Sequence, residues 1–484
     1  MRSYLLTTLL FVACLSVKGQ PVEKDSGSLS DSVGVLTFDV FYAYVIDNHP
    51  IVKQAALLSE SAAQELRLAR GSFDPKLEGS WDYKEYKSKE YYNKIGAGLK
   101  VPTWFPIDPK VGFKQNQGVF ADGDGPDYIS DDTNNQQLYA GISLPIGKGL
   151  FIDERRALVK KAKVLQNMAD AEQIKEINKI LLTAAKDYWQ WYFAYKNYDL
   201  LEQSITLAQD IFDRSLMAFE LGELAAIDTM QAKITLQTRS LDFQQANIER
   251  IDAGLRLSNH LWNEGGFPLE IPDDVKPEES QSETMDGEIL GQLVEMARDN
   301  HPELVKLDLK NESLAIDRKL AKENLKPQLD LDYTILDQPL TPQSDNVGID
   351  FTDNYKFGAT FSFPLLLRKE RAKLKQLNIK IDQNQFERSF REREIVNDIS
   401  ARYRSVLVTG NMLEQQKDMV RSYELILEAE RLNLENGESD LFKINVQFDK
   451  MLKSQTKLLK LRSQYQKDVA GLYWAAGIAN LGIE

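Results

Sequence analysis

The chain has very few of the side chains that usually build a catalytic or metal centre. Its 484 residues include one cysteine, Cys14, and three histidines. A metal or acid–base site needs several such groups that converge on one point, and no suitable spacing joins them here. Glycine-rich phosphate loops and nucleophile motifs are missing as well. We therefore predict a protein that is not an enzyme and that has no cofactor and no metal site.

Long apolar runs are also missing. Beyond the N-terminal segment, no stretch offers the roughly 20 consecutive apolar residues that a transmembrane helix needs. Residues 1–19 begin with a charged Arg2 and continue with a short apolar stretch, which predicts a secretory signal peptide. Cys14 lies inside it, and a competing interpretation makes Cys14 a lipid-anchored N-terminus. The polar residues 20–36 predict a flexible leader.

A basic surface is absent too, because the net charge is −14 at pH 7. Nucleic acid requires a basic face, so we predict no nucleic-acid partner. The acidic balance leaves open a water-filled acidic lumen.

Proline is absent from residues 146–267 and again from residues 365–484. Apolar residues in the first of these runs are three or four positions apart, which is typical of a coiled-coil seam; they are Ile177, Leu181, Ala184, Tyr188, Trp191 and Tyr195. A glycine region interrupts each run midway. We therefore predict two helical hairpins, at about 152–263 and about 367–480, whose first helix would be about 100 Å long.

The chain also contains an internal duplication. Asp47-Asn48-His49-Pro50 reappears as Asp299-Asn300-His301-Pro302, and Gly222-Glu223 reappears as Gly437-Glu438. Matches of this kind indicate that one ancestral unit was copied. We predict a first repeat at 37–264, a linker at 265–284 and a second repeat at 285–484.

Four short segments alternate apolar and polar residues with period two, which predicts strands with one apolar face. They lie at about 76–84, 137–145, 328–336 and 355–364. A proline marks each strand–helix junction, and this residue suits an abrupt change from sheet to helix; the four are Pro75, Pro145, Pro327 and Pro364. Ordinary boundary prolines are the alternative. An extra hairpin within residues 95–113 remains open.

Four such strands cannot close on themselves, because the smallest bacterial membrane barrels need about eight. An open sheet edge is not tolerated in a membrane, where unpaired backbone groups cost several kcal/mol each. Several copies must then share one barrel, and three copies with four strands each would give twelve.

With this order of elements the chain resembles the TolC-like outer-membrane efflux protein family over nearly all of its mature length. Residues 219–228 resemble the first periplasmic turn of that family, and residues 436–442 resemble the second. The resemblance implies a mostly α protein with a small membrane β part. It implies a homotrimer with a twelve-stranded β-barrel in the outer membrane of a Gram-negative cell, continued by an α-helical periplasmic tunnel. The implied partners are outer-membrane lipid, a periplasmic adaptor (membrane fusion) protein and an inner-membrane pump of resistance-nodulation-division or ABC type.

The resemblance further implies polar links that hold the tunnel mouth shut near the hairpin tips. The tip candidates for a gate or an adaptor contact are Gly222, Glu223, Asp228, Gly437, Glu438 and Asp440. Asp228 matches a family aspartate, whereas the acidic positions of the second tip fall near Lys443 and Val446 and do not carry over. Solvated turn residues are the alternative interpretation. We predict that an Asp228→Ala channel conducts more in planar bilayers; unchanged conductance would argue against the role.

Three other features have a functional and a structural interpretation. Aromatic residues between Tyr188 and Tyr198 are predicted to pack between helices rather than to line a pore. The aspartate-rich segment 122–132 is predicted to be a solvated loop rather than a Ca²⁺ site. The repeated Asp-Asn-His-Pro is predicted to be a structural turn.

The predicted function is a passive exit duct of a tripartite efflux or type I secretion system. One alternative is a secreted or periplasmic coiled-coil scaffold without a pore, and another is a periplasmic enzyme acting at the aromatic cluster. Drug efflux, metal efflux and protein secretion all remain open.

Overall fold

A computed structural model describes residues 34–117, 129, 135–278, 289–337 and 354–478. Cys14, the predicted signal peptide and all of the aspartate-rich segment except Ile129 lie outside these residues. In chain order the elements are β1 (Val35–Leu36), α1 (Phe38–Asn48), α2 (Pro50–Arg70), β2 (Lys76–Tyr86), β3 (Lys89–Lys100), β4 (Asp108–Gln117), β5 (Gln136–Gly147), α3 (Glu154–Glu220), α4 (Ala226–Ser258), β6 (Lys276–Pro277), α5 (Ile289–Asn300), α6 (Pro302–Glu323), β7 (Gln328–Asp337), β8 (Tyr355–Ser362), α7 (Arg368–Glu435) and α8 (Leu441–Ala475).

The duplicated Asp-Asn-His-Pro motif is a helix start. Nδ1 of His49 accepts a hydrogen bond from the backbone N–H of Ile51 at 3.1 Å, and Nδ1 of His301 accepts one from Glu303 at 3.2 Å. The following proline is the first residue of α2 and of α6. A side chain that accepts a backbone N–H of the first turn and a proline at the first helical position are both favoured at the start of a helix. The motif therefore has the structural role that the sequence predicts.

Two long helical hairpins, α3–α4 and α7–α8, account for most of the chain. Gly222 and Gly437 end the first helix of each hairpin with φ of +78° and +77°. In both tips the residue after the glycine donates its N–H back to the helix, from Glu223 to Ala218 O and from Glu438 to Asn433 O. This is a Schellman closure, which favours glycine because a side chain strains the left-handed conformation.

The helices lie side by side in four rows. Next to the sheet the order is α2, α3, α6 and α7, and further away it is α4, α3, α8 and α7. The helices α3 and α7, with 67 and 68 residues, therefore run through both levels. One flank of the chain is formed by α2 and α4, and the other flank is formed by α7.

None of the helices in the described parts of the chain is long and apolar enough to cross a membrane.

The largest apolar core surrounds the middle of α3. Tyr188 and Tyr192 are both about 1% exposed, and they pack with Phe41 of α1. The Tyr188 hydroxyl donates a hydrogen bond to the carbonyl oxygen of Leu36 at 2.8 Å. The predicted packing role of the aromatic cluster therefore fits the structure.

This core also corrects two sequence predictions. Val35–Leu36 pairs in parallel with Lys276–Pro277, and Leu36 is 1% exposed. The flexible leader therefore does not extend to residue 36. The described part of the predicted linker 265–284 is likewise anchored, because Leu269 and Val275 pack against the aromatic cluster.

The sheet has six strands, in the order β2-β3-β4-β5-β7-β8, and every neighbouring pair is antiparallel. The prediction of four strands per chain is therefore wrong, and the count of twelve strands for three copies, which a single chain does not test, stays a prediction. The additional strands β3 and β4 lie between β2 and β5. Their polar face alternates glycine with lysine, a pattern that is easily mistaken for a loop because glycine is depleted in strands.

Candidate functional site

One face of the sheet is apolar across all six strands. A single row of paired residues crosses it, namely Leu77, Leu99, Val111, Ala140, Ile335 and Tyr355. Leu77 is 83% exposed and Phe361, on the same face of β8, is 68% exposed. A contiguous exposed apolar face of this extent marks a surface that contacts another protein or a membrane.

The opposite face of the sheet is polar and concave. It encloses a depression of about 650 Å³, whose lining includes Asp82, Lys94, Lys110, Lys114, Asp332 and Lys356. Lys110 of β4 passes over Gly141 and forms an ion pair with Asp332 of β7 at 3.1 Å. Lysines outnumber the acids in this lining, so the depression itself is not acidic.

The predicted junction prolines lie where sheet and helices meet. Pro75 and Pro327 directly precede β2 and β7, and Pro364 follows β8. Pro145 differs, because β5 continues past it to Gly147 and pairs Pro145 with Asp330. The sequence prediction that this strand ends at the proline is therefore wrong; the strand ends at a glycine with φ of +85°.

Gly147 joins the two repeats at this junction. A Cβ atom there would overlap the carbonyl oxygen of Pro327, which accepts a hydrogen bond from the Lys148 N–H at 2.9 Å. Sequence reasoning missed this residue, although a glycine that follows an apolar strand is a signal for a close backbone approach.

Gly147→Ala should therefore destabilise the junction far more than Gly149→Ala. Both glycines have positive φ, at +85° and +91°, so each alanine costs about 1–2 kcal/mol in backbone strain. Only the alanine at 147 also meets a backbone atom, since the nearest neighbour of a Cβ atom at 149 is a side-chain carbon at 3.7 Å. Thermal unfolding of the two purified variants measures the difference, and equal melting temperatures would contradict it.

A charged network fixes the start of α3 beside this junction. Asp153 caps the helix by accepting the Arg156 N–H at 2.8 Å, and Arg155 pairs with Asp108 of β4 at 3.1 Å. Burial raises the pKa of Asp153, but hydrogen bonds and positive charge from Arg156 and Arg155 outweigh it, so the pKa lies below its normal value of 3.8. Sequence reasoning missed these residues, although an aspartate before an amphipathic run is an N-cap signal.

The predicted tip residues lie in the two turns, and the structure gives the aspartates local roles. Asp228 accepts a hydrogen bond from the Ala225 N–H at 3.3 Å, and Asp440 accepts one from the Lys443 N–H at 2.8 Å. Each aspartate thus caps the helix that leaves its own tip. The side chains of Glu223 and Glu438 are exposed.

A salt bridge near the tips joins the two hairpins, and sequence reasoning did not find it. Nη2 of Arg239 on α4 lies 2.7 Å from Oδ1 of Asp449 on α8, and Lys453 binds the other carboxylate oxygen at 2.6 Å. The Arg239 side chain is only 7% exposed and lies over the Phe448 ring. The pair stands within about four turns of the start of each helix.

The environment keeps this carboxylate charged. Burial raises the pKa of Asp449, but hydrogen bonds from Arg239 and Lys453 and their positive charge outweigh it, so the pKa lies below 3.8. The duplication offers no signal for the pair, because the two partners do not occupy equivalent positions in the two repeats.

The amphipathic sheet, the long helical hairpins and the two exposed tips can be compared with those of known proteins. Residues 293–478 match the family described as outer membrane efflux protein. No curated protein matches the chain.

Solved channel structures have the same fold. The outer-membrane channel OprN is 12% identical, with 91% of this chain and 89% of that chain covered and a TM-score of 0.65. The CmeC channel of Campylobacter jejuni is 13% identical, with 97% and 94% covered and a TM-score of 0.60. The MtrE channel of Neisseria gonorrhoeae is 13% identical, with 91% and 88% covered and a TM-score of 0.63.

The predicted fold class, with its long helical hairpins and small β part, is thereby confirmed. The family match lies in the second repeat. The similarity in fold to the solved channels also extends over the first repeat. The chain therefore has a TolC-like fold, and residues 293–478 are similar to outer membrane efflux proteins.

Proposed function

We propose that three copies of this chain form a passive exit duct, which a periplasmic adaptor opens and an inner-membrane pump powers. The observation that supports this most strongly is the sheet, which has an exposed apolar face and, among the described residues, two edges without a neighbouring strand, β2 and β8. In a membrane such edges must be paired, since each unsatisfied backbone group costs several kcal/mol.

The directions of the edge strands suit pairing between copies. β2 runs away from the helices, because it follows α2, and β8 runs towards them, because it leads into α7. The β8 edge of one copy can therefore pair antiparallel with the β2 edge of the next. Repetition of this contact closes a barrel in which all neighbouring strands are antiparallel, as in bacterial outer-membrane barrels.

The flanking helices offer a second interface on the same two sides. Exposed apolar residues form a stripe on α4, namely Ile227, Met230, Ile234, Leu241, Ile248, Ile251 and Leu255. Another follows α7, namely Ile379, Phe386, Phe390, Val408, Met412, Met419 and Ile426. Spacings of three, four and seven along α4, and of four and seven on either side of a gap between Phe390 and Val408 in α7, predict a coiled-coil seam. We propose that a second copy of this chain covers these stripes, with α4 of one chain packed against α7 of the next.

The partners follow from the family and from the exposed tips. The TolC-like family implies a trimer, so three copies are proposed. The apolar tip residues Leu221, Ile227 and Phe442 are each more than half exposed, and they offer a surface to an adaptor. The pump would be of resistance-nodulation-division or ABC type. A scaffold without a pore gives no reason for the exposed apolar face of the sheet.

The gate is proposed to include the link between Arg239 and Asp449. It is the polar contact near the tips that ties the first hairpin to the second, whereas Asp228 and Asp440 bind within their own turns. An adaptor favours an open mouth only if it binds that state more tightly. Opening would then separate the two hairpins and break this pair. The Asp228→Ala variant remains a gate test, with a smaller expected effect of about 1 kcal/mol from the lost cap.

Acid on the periplasmic side should open the channel. Because the pKa of Asp449 is depressed in the folded chain, its stabilising contribution is complete above the normal pKa of 3.8. That contribution is lost as the pH falls through the depressed value, when the carboxylate gains a proton and the pair breaks. Current in planar bilayers should therefore stay constant while the pH remains above the normal pKa of 3.8 and rise only at lower pH. A channel that closes further in acid would contradict this.

The proposed function is tested by fractionation and reconstitution. The full-length protein should sediment with outer membranes, require detergent for extraction, and give discrete ion currents in planar bilayers. Protein that is soluble without detergent, or that leaves the bilayer resistance unchanged, would support the scaffold instead.

A further inference from the structure

We propose that the inserted hairpin β3–β4 is part of the membrane wall, so that three copies close an eighteen-stranded barrel as wide as the helical duct. This rests on the proposed function and deepens it. The size of the cargo would then be limited at the hairpin tips and not in the outer membrane.

The inserted strands are long enough to span a membrane. β3 has 12 residues and β4 has 10, which is the length that a tilted membrane strand needs, about 9–11 residues. β3 pairs with β2 from Lys100 to Lys89, and β4 pairs with β5 from Asp108 to Gln115. The hairpin is therefore paired along its length on both sides.

Its short turn, residues 101–107, lies at the helix end of the sheet. Asp108 binds Arg155 at the start of α3, and the Trp104 ring contacts Phe73 at 5.4 Å between ring centres. The far ends of β3 and β4, at Lys89 and Gln117, lie at the opposite end of the sheet. The inserted hairpin therefore runs the full length of the sheet, starting from the helix end.

Near the helices the hairpin continues both faces of the sheet, whereas Asn93, Gln115 and Gln117 lie on the apolar face further along. Ala97 pairs with Phe113 and Leu99 pairs with Val111 on the apolar face. Its lysines lie on the polar face, where Lys94, Lys110 and Lys114 line the concave depression. A flap that folded back over the sheet would have no reason to keep this register, because a slip by one residue exchanges the two faces.

Side chains from both repeats fix the hairpin in place. The Tyr139 ring of β5 lies across Gly112 and Gly98, where any larger side chain would clash with it. Aromatic coverage of strand glycines is a device that pins register. On β4, Lys110 reaches past β5 to Asp332 of the second repeat. The Trp81 indole of β2 donates to Asn93 of β3 at 3.0 Å.

The added width matches the helical part. Neighbouring strands lie about 4.8 Å apart and tilt by about 40° in membrane barrels, so six strands occupy roughly 38 Å of the circumference. Four helices at about 8–10 Å spacing occupy roughly 36 Å. Four strands would occupy only roughly 25 Å and would force a constriction. Eighteen strands in place of twelve make the barrel about 1.5 times wider, since the diameter grows roughly linearly with strand number.

Electron cryo-microscopy of the detergent-purified full-length oligomer can show the number of strands in the barrel. We expect eighteen strands, with β3 and β4 between β2 and β5 in each copy. A barrel of twelve strands with the hairpin outside the wall would overturn the inference and leave the channel function intact. Particles without any barrel would overturn both, so the two failures are distinguishable.

Spin labels give an independent readout in the same full-length protein, because Cys14 is its only native cysteine. Labels at Ala97 and Val111 should be relaxed by oxygen from the lipid, and labels at Lys94 and Lys114 by a water-soluble nickel complex. The parent chain without added cysteines gives the background of Cys14. Equal exposure of all four labels to the nickel complex would place the hairpin in water and overturn the inference.

Discussion

Leu241→Asp combined with Ile248→Asp should abolish the oligomer and with it every channel current. Both residues are more than half exposed in the single chain and lie on the apolar stripe of α4. If α7 of the next copy covers them, each loses about 1.5–3 kcal/mol of apolar burial. Each new carboxylate must also be desolvated, which costs several kcal/mol more. The same contact recurs at every interface between copies, so the free-energy cost arises once for each interface.

The matched control is the double variant Leu241→Ile and Ile248→Leu, which keeps an apolar side chain of similar volume at both positions. Such swaps usually cost less than about 1.5 kcal/mol, so this variant should still assemble. Size-exclusion chromatography with light scattering in detergent measures both. If the aspartate variant remained an oligomer of unchanged mass, the α4 stripe would not be an interface.

Asp449→Asn should open the tunnel mouth. The change keeps the shape of the side chain and removes the charge that Arg239 and Lys453 bind at 2.7 and 2.6 Å. Hydrogen bonds to charged groups contribute about 1.5–3 kcal/mol. If the open state lacks the pair, its population should rise about ten- to hundredfold. The buried Arg239 guanidinium, left without its carboxylate, adds to this preference.

Asp242→Asn is the control for this prediction. Asp242 also binds Arg239, at 3.3 Å, but it lies on the same helix and does not join the hairpins. Its loss should leave single-channel conductance near that of the parent. Planar-bilayer recordings compare the two variants, and equal currents from Asp449→Asn and the parent would exclude the pair from the gate.

Local chemistry explains how much of this fold could be predicted from sequence. The histidine caps, the proline-free helices and the glycine tips depend on neighbouring residues, so their signals survive in a single sequence. Because of the duplication, each of these signals occurs twice in the sequence. The fold class and the four strands next to the prolines follow from such local patterns.

The inserted hairpin and the salt bridge had no comparable signal. β3 and β4 have glycines at 96, 98 and 112 because the Tyr139 ring and neighbouring strand atoms occupy that space, and this requirement is visible only when strands are paired. Arg239 and Asp449 are brought together by the packing of α4 and α8, far apart in sequence. The hairpin and the salt bridge both depend on contacts between parts of the chain that are distant in sequence. In addition, only the first repeat contains the insertion, so the duplication does not reveal it.

The central claim is that one copy has an unfinished sheet that neighbouring copies complete within a membrane. The mass of the protein particle in detergent, corrected for bound detergent, tests this directly. We expect three copies of the mature chain in one particle that aggregates when detergent is removed. A single copy that stays monodisperse in plain buffer would contradict it.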